Sequence, residues 1–161
     1  MPAKYKTSET ARMDRRRWDA AGMAFTTDWV LAHFQWHNRR MPILFVDLVL
    51  RPGERAPASA ASVLADQAGH LYGSGPGDTW VVVREIPAGG YAENDSPEGV
   101  YFPAFVHVVR MQLPDTLVLI AEAARLAEMA GRALNRPPDN VHIIFEPSGG
   151  GRVAFGGRLR G

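Results

Sequence analysis

From residue 42 onward the chain alternates two kinds of pattern. Ile43 to Leu50 and Ala104 to Val109 are β-branched and aromatic runs, each entered through a proline (Pro42, Pro103), a residue that a strand start tolerates because its missing N–H costs no ladder bond there. Between and after them lie Ala/Leu-rich segments with helical spacing. One runs from about Pro57 to Tyr72, with Ala60, Val63, Leu64, Gln67, Ala68 and Leu71 on one face. The other runs from about Asp115 to Leu134, with Leu119, Ile120, Ala123, Leu126, Ala127, Ala130 and Leu134 on one face. Asp115 stands where an N-cap belongs. Both helical segments stop at punctuation, Gly73-Ser-Gly-Pro-Gly and Asn135-Arg-Pro-Pro-Asp, and second apolar runs follow, Thr79 to Ile86 and Asn140 to Phe145.

The two halves are one pattern used twice. At an offset of 61 residues Pro42 falls on Pro103, Leu44 on Phe105, Pro76 on Pro137, Asp78 on Asp139, Val82 on Ile143, Glu85 on Glu146 and Gly90 on Gly151. A period this long is a duplicated supersecondary unit, not a solenoid repeat. Strand, helix and strand with short connections make a right-handed crossover that sets the two strands parallel. The predicted fold is α/β: two tandem β-α-β units, 42–102 and 103–161, forming a four-stranded sheet with two helices on one face. The first strand is apolar on both faces, so the helix-free face predicts an oligomer that packs sheet against sheet.

Charge divides the chain at the same place. The protein has 161 residues and a net charge of +1, yet residues 1–41 hold eight basic against four acidic residues and the remainder ten against thirteen, +4 and −3. Three of the four tryptophans, Trp18, Trp29 and Trp36, also precede Met41. This basic leader fits neither a secretory signal, since Trp29–Phe34 is broken by His33, nor an acid-poor mitochondrial presequence. Its Arg15-Arg16-Arg17-Trp18 run reads as a phosphate-binding arm or, without any accompanying nucleic-acid motif, as a solvated tail or a short amphipathic helix over 28–35. A start at Met41, or cleavage of the leader, is a further reading. Cysteine is absent, and no apolar run approaches the roughly 20 residues of a membrane span. A cytoplasmic protein without membrane or nucleic-acid partners is expected.

The duplication, the two prolines and a closing glycine-rich stretch, Gly149 to Gly157, resemble the tautomerase superfamily over residues 42–161: 4-oxalocrotonate tautomerase, its fused-subunit dehalogenase and decarboxylase relatives, and macrophage migration inhibitory factor. The resemblance implies a homotrimer of fused units and cofactor-independent keto–enol chemistry, or a related lyase or hydratase reaction, on a small 2-oxo or unsaturated carboxylate. Pro42 matches the catalytic proline, which acts as a terminal secondary amine. Arg51, Arg84 and Arg110 are the candidate carboxylate-binding cations, each displaced from the family register, and Tyr91 matches the aromatic wall of the pocket. His70 stands where the dehalogenases keep a helix histidine and reads equally as a C-terminal helix residue. With residue 41 ahead of it, Pro42 has a tertiary amide nitrogen without basicity. The alternative is therefore a non-catalytic oligomer whose leader blocks the proline. No histidine spacing suits a metal, and His107 and His142 read as hydrogen-bonded strand histidines in the core.

Overall fold

The computed structural model describes residues 41–95 and 102–159; the basic leader up to residue 40, and with it the reading of a short helix over 28–35, therefore lies outside the described residues. In chain order the elements are β1 (Ile43–Val49), α1 (Ala60–Tyr72), β2 (Trp80–Ile86), β3 (Ala104–Val109), α2 (Thr116–Leu134), β4 (Val141–Phe145), β5 (Ala154–Phe155) and β6 (Arg158–Leu159). The main sheet has the order β2-β1-β3-β4. β1 and β2 are parallel, as are β3 and β4, and β1 meets β3 antiparallel, so the two β-α-β units are joined through their first strands. Each crossover is carried by its helix, as parallel neighbours require.

Strand alternation sets the layers. Leu44, Val46 and Leu48 of β1 and Ala104, Val106 and Val108 of β3 point to the helices and are buried with Ala60, Leu64 and Ala68 of α1 and Leu126, Ala130 and Leu134 of α2. On the opposite face Trp80, Val82 and Ile144 are exposed, and Asp47 and Arg84 interrupt the apolar surface with an ion pair. The expected open, largely apolar face is thus present. His142 belongs to it: it is exposed and leans on Phe105 with ring centroids 5.3 Å apart, so it is not a core histidine. His107 is half-buried there, with its Nδ1 2.7 Å from Glu146 Oε1.

Helix α2 departs from its expected face at one end. Ile120 is 64% exposed, with Leu117 and Val118 exposed beside it, and full burial begins only at Leu126. Nineteen helical residues span about 28 Å, whereas the six of β3 span about 20 Å, so the first turns overhang the sheet. Asp115 caps this overhanging end, its side chain accepting from Val118 N–H at 3.1 Å. Asp115→Ala orphans that donor, and a loss of about 1 kcal/mol in urea-unfolding free energy is expected.

The glycine-rich tail is two devices. Gly156 and Gly157, at φ 56° and 77°, turn the small hairpin β5–β6. Gly149 instead lets the chain press on the end of β3: a Cβ there would lie 2.8 Å from Met111 Cε and 3.0 Å from Val153 Cγ2.

Candidate functional site at the Pro42 end of the sheet

The register builds the site. Ile43 pairs with Val109 in the antiparallel ladder, so Pro42 stands opposite Arg110; Ile43 pairs with Trp80 in the parallel one, so Thr79 flanks Pro42 on the other side. Trp80 N–H donates to the Pro42 carbonyl at 3.1 Å. By alternation Thr79, Pro42 and Arg110 all share the helix-facing side, in one row across three strands. Directly opposed residues on one face bring their Cβ atoms to about 5 Å.

Both helices complete this end. Tyr72 closes α1, where the chain turns back toward β2, and Glu122 comes from the first half of α2. Arg110 Nη1 donates to both Glu122 oxygens, at 2.7 and 2.8 Å, and its guanidinium carbon lies 5.0 Å from the centroid of the Tyr72 ring. The side chains of Arg110 and Glu122 are only 20% and 14% exposed. The Nε and Nη2 protons of Arg110 have no partner among the described residues. Two hydroxyls at the same end, Tyr72 Oη and Thr79 Oγ1, are buried without a hydrogen-bond partner. Burial first, and then the Glu122 charge, push the Tyr72 hydroxyl well above the ordinary phenol range, so it stays protonated and available as a donor.

The other sequence-level candidates stand elsewhere in the protomer. Arg84 forks onto Asp47 at 2.6 and 2.9 Å, and Asp47 is five residues along β1 from Pro42, about 17 Å. Arg51 follows the far end of β1, its Nη1 3.1 Å from Glu54 and its guanidinium over the Phe102 ring at 5.7 Å. Tyr91 packs on Phe105 at 5.7 Å and donates its hydroxyl to Glu93 at 2.6 Å, a bond that pushes its pKa up to about 12. The reason is strand direction: residues that follow β1 or β2 emerge at the end opposite Pro42, while antiparallel β3 delivers its own C-terminal residue, Arg110, beside it. A single protomer therefore does not gather the three arginines into one pocket around Pro42.

Sequence reading missed Tyr72, Thr79 and Glu122. The offset of 61 pairs Tyr72 with Ala133 and Glu122 with Ala61, so a polar residue facing a small apolar one in the repeat mate was the available signal. His70 lies in the last turn of α1 and is exposed. Among the described residues no cluster of three His, Cys, Asp or Glu side chains could hold a metal, and no helix is long and apolar enough to cross a membrane.

No protein-family model matches the chain, and no curated protein does. Solved structures do. A fused 4-OT wild-type symmetric trimer aligns at a TM-score of 0.60 and 14% identity, covering 73% of this chain and 94% of that one. Macrophage migration inhibitory factor from Trichinella spiralis aligns at 0.56 and 15%, covering 73% and 98%. A malonate semialdehyde decarboxylase inhibited by 3-bromopropiolate aligns at 0.55 and 13%, covering 71% and 88%. The chain has the fold of the tautomerase superfamily, a mixed four-stranded sheet with two helices. At these identities the likeness is one of fold, and chemistry has to be argued from the site.

Proposed function

We propose that the protein is a cofactor-independent tautomerase, or a related lyase or hydratase, acting on a small 2-oxo or unsaturated carboxylate in an oligomer of trimeric type. The observation that carries the reading is the placement of Pro42 opposite Arg110, one step beyond the Ile43–Val109 pair that ends the β1–β3 ladder, on the helix-facing side. The free Nε/Nη2 edge of Arg110 has the fork geometry that takes a carboxylate bidentately and steadies the enolate that forms beside it. Pro42 would move the proton between carbon and oxygen once its nitrogen is a terminal amine. The trimeric 4-OT neighbours and the exposed apolar sheet face support assembly.

One observation favours a second reading, a non-catalytic oligomer: Met41 precedes Pro42, which makes its nitrogen an amide.

The test is enol–keto interconversion of phenylpyruvate by a chain begun at Pro42. Arg110→Met is expected to lower kcat/KM about 100-fold, chiefly through KM. Because that change orphans a half-buried carboxylate, the double variant Arg110→Met/Glu122→Gln is the control: it should regain thermal stability and none of the activity. An active double variant removes Arg110 from the reaction.

A further inference from the structure

Three features of the Pro42 end go beyond a carboxylate clamp. The first is a buried counter-charge: Glu122 already neutralises Arg110 on one side, so the site without ligand is close to electrically balanced. The second is the Tyr72 hydroxyl, whose ring lies against the same guanidinium and whose proton has no acceptor. The third is Thr79 Oγ1, likewise buried and unpartnered, in the same cross-strand row as Pro42 and Arg110. An unsatisfied buried hydroxyl is costly to keep, and two at one end of a sheet call for an occupant with oxygen acceptors.

We propose that this site selects a monoanionic 2-oxo carboxylate, with Arg110 taking the carboxylate, the Tyr72 hydroxyl donating to the oxo oxygen, and Glu122 excluding substrates with a second carboxylate. The proposal rests on the reading of Arg110 as the carboxylate anchor and is independent of the state of the Pro42 nitrogen. One carboxylate on the free edge of Arg110 brings the local charge to about −1. A second negative group within the same half-buried volume would face the Glu122 carboxylate, and like charges in a poorly solvated site repel strongly. The neutral oxo group, by contrast, supplies the acceptor that Tyr72 lacks. A ligand without it leaves the hydroxyl as it stands, or with a water. Thr79 Oγ1 lies on the far side of Pro42 from Arg110 and is the donor for a second oxygen along the same row.

Three five-carbon acids separate these roles by calorimetric titration of the full chain: 2-oxopentanoate, pentanoate and 2-oxopentanedioate. The expected result is that 2-oxopentanoate binds at least about tenfold more tightly than either of the others, a net hydrogen bond's worth in the first comparison. In Tyr72→Phe the advantage over pentanoate should collapse while pentanoate affinity stays unchanged. In Glu122→Gln the advantage over the dianion should collapse. Equal affinity for pentanoate and 2-oxopentanoate means that Tyr72 holds water only and overturns its assignment. A dianion bound as tightly as the monoanion overturns the role of Glu122, and no binding of any of the three overturns the site. Intact selectivity in the full chain, with no turnover of phenylpyruvate by the chain begun at Pro42, would count against the proton-transfer reading alone.

Discussion

Replacing Arg136 by methionine lowers the unfolding free energy by about 3 kcal/mol, at the lower end of what breaking a buried ion pair costs, and a large part of the roughly 5–15 kcal/mol that holds a domain together. The side chain of Arg136 is wholly buried. Its Nη1 and Nη2 each donate to a Glu54 oxygen at 2.8 Å, its Nε donates to the Phe102 carbonyl at 2.6 Å and its Nη2 to the Val49 carbonyl at 2.7 Å. One guanidinium thereby ties the end of α2 to the end of β1, to the loop that follows it and to the residue that leads into β3. Methionine keeps much of the volume and strands all of these acceptors. Glu54 limits the damage, because it is partly solvated and keeps the Arg51 N–H at 2.7 Å; hence the lower end of the range. Equilibrium urea unfolding of the two proteins measures the difference, and a loss under 1 kcal/mol contradicts the assignment.

The same pair sets an acid limit. The hydrogen bonds from Arg136, opposed by burial and aided by the Arg51 backbone and the charges of both arginines, hold the Glu54 carboxyl at about 2 instead of 4.5. A depressed folded-state pKa contributes stability that is complete above the unfolded value and disappears as pH falls through the folded one. The wild type should therefore lose this contribution between about pH 4.5 and 2, while Arg136→Met should show a shallower decline over that window.

Neither partner of that pair was legible from pattern alone. Arg136 sits in a stretch read as a helix stop, and so it is: Asn135 takes φ 54° and the Arg136 N–H returns to the Gly131 carbonyl at 2.9 Å. What periodicity cannot convey is that this left-handed turn aims the next side chain back under the sheet. Gly131 takes part, since a Cβ there would lie 2.7 Å from the Arg136 carbonyl. The strands, helices and their order were readable because each depends on local spacing repeated twice. The site was readable only in part for a related reason. Pro42 belongs to the repeat pattern and Arg110 was assigned by the family resemblance, whereas Tyr72, Thr79 and Glu122 act through a cross-strand register and a helix contact that no single segment encodes. Arg51, Arg84 and Tyr91 were assigned to Pro42 by likeness of motif, and strand direction places them at the other end of β1 in the protomer.

The largest effect expected on activity comes from the chemical state of one nitrogen. A chain begun at Pro42 should interconvert the enol and keto forms of phenylpyruvate about 10²–10⁴ times faster than the full chain, the span that a positioned general acid or base contributes. In the full chain the nitrogen of Pro42 is an amide, with its lone pair delocalised and no proton to exchange; begun at Pro42, it is a secondary amine beside Arg110. A terminal amine ordinarily titrates near 7.7–8.0. Two influences act on it. Burial at the start of β1 disfavours the ammonium and lowers the pKa, and the Arg110 charge would add to this were it not largely offset by the Glu122 carboxylate 2.7 Å from it. Burial therefore sets the direction of the shift, downward, which favours the free base. The sign follows: kcat/KM should rise with pH along a single acid limb whose midpoint lies below the ordinary amine value. Glu122→Gln should move that midpoint lower still, because it leaves the cation unopposed. Pro42→Ala in the shortened chain keeps an amine but makes it primary, and should retain only part of the rate with its own midpoint. Equal rates for the full chain, the shortened chain and the alanine variant would sink the role of Pro42 and leave the Arg110 site as a binding site alone.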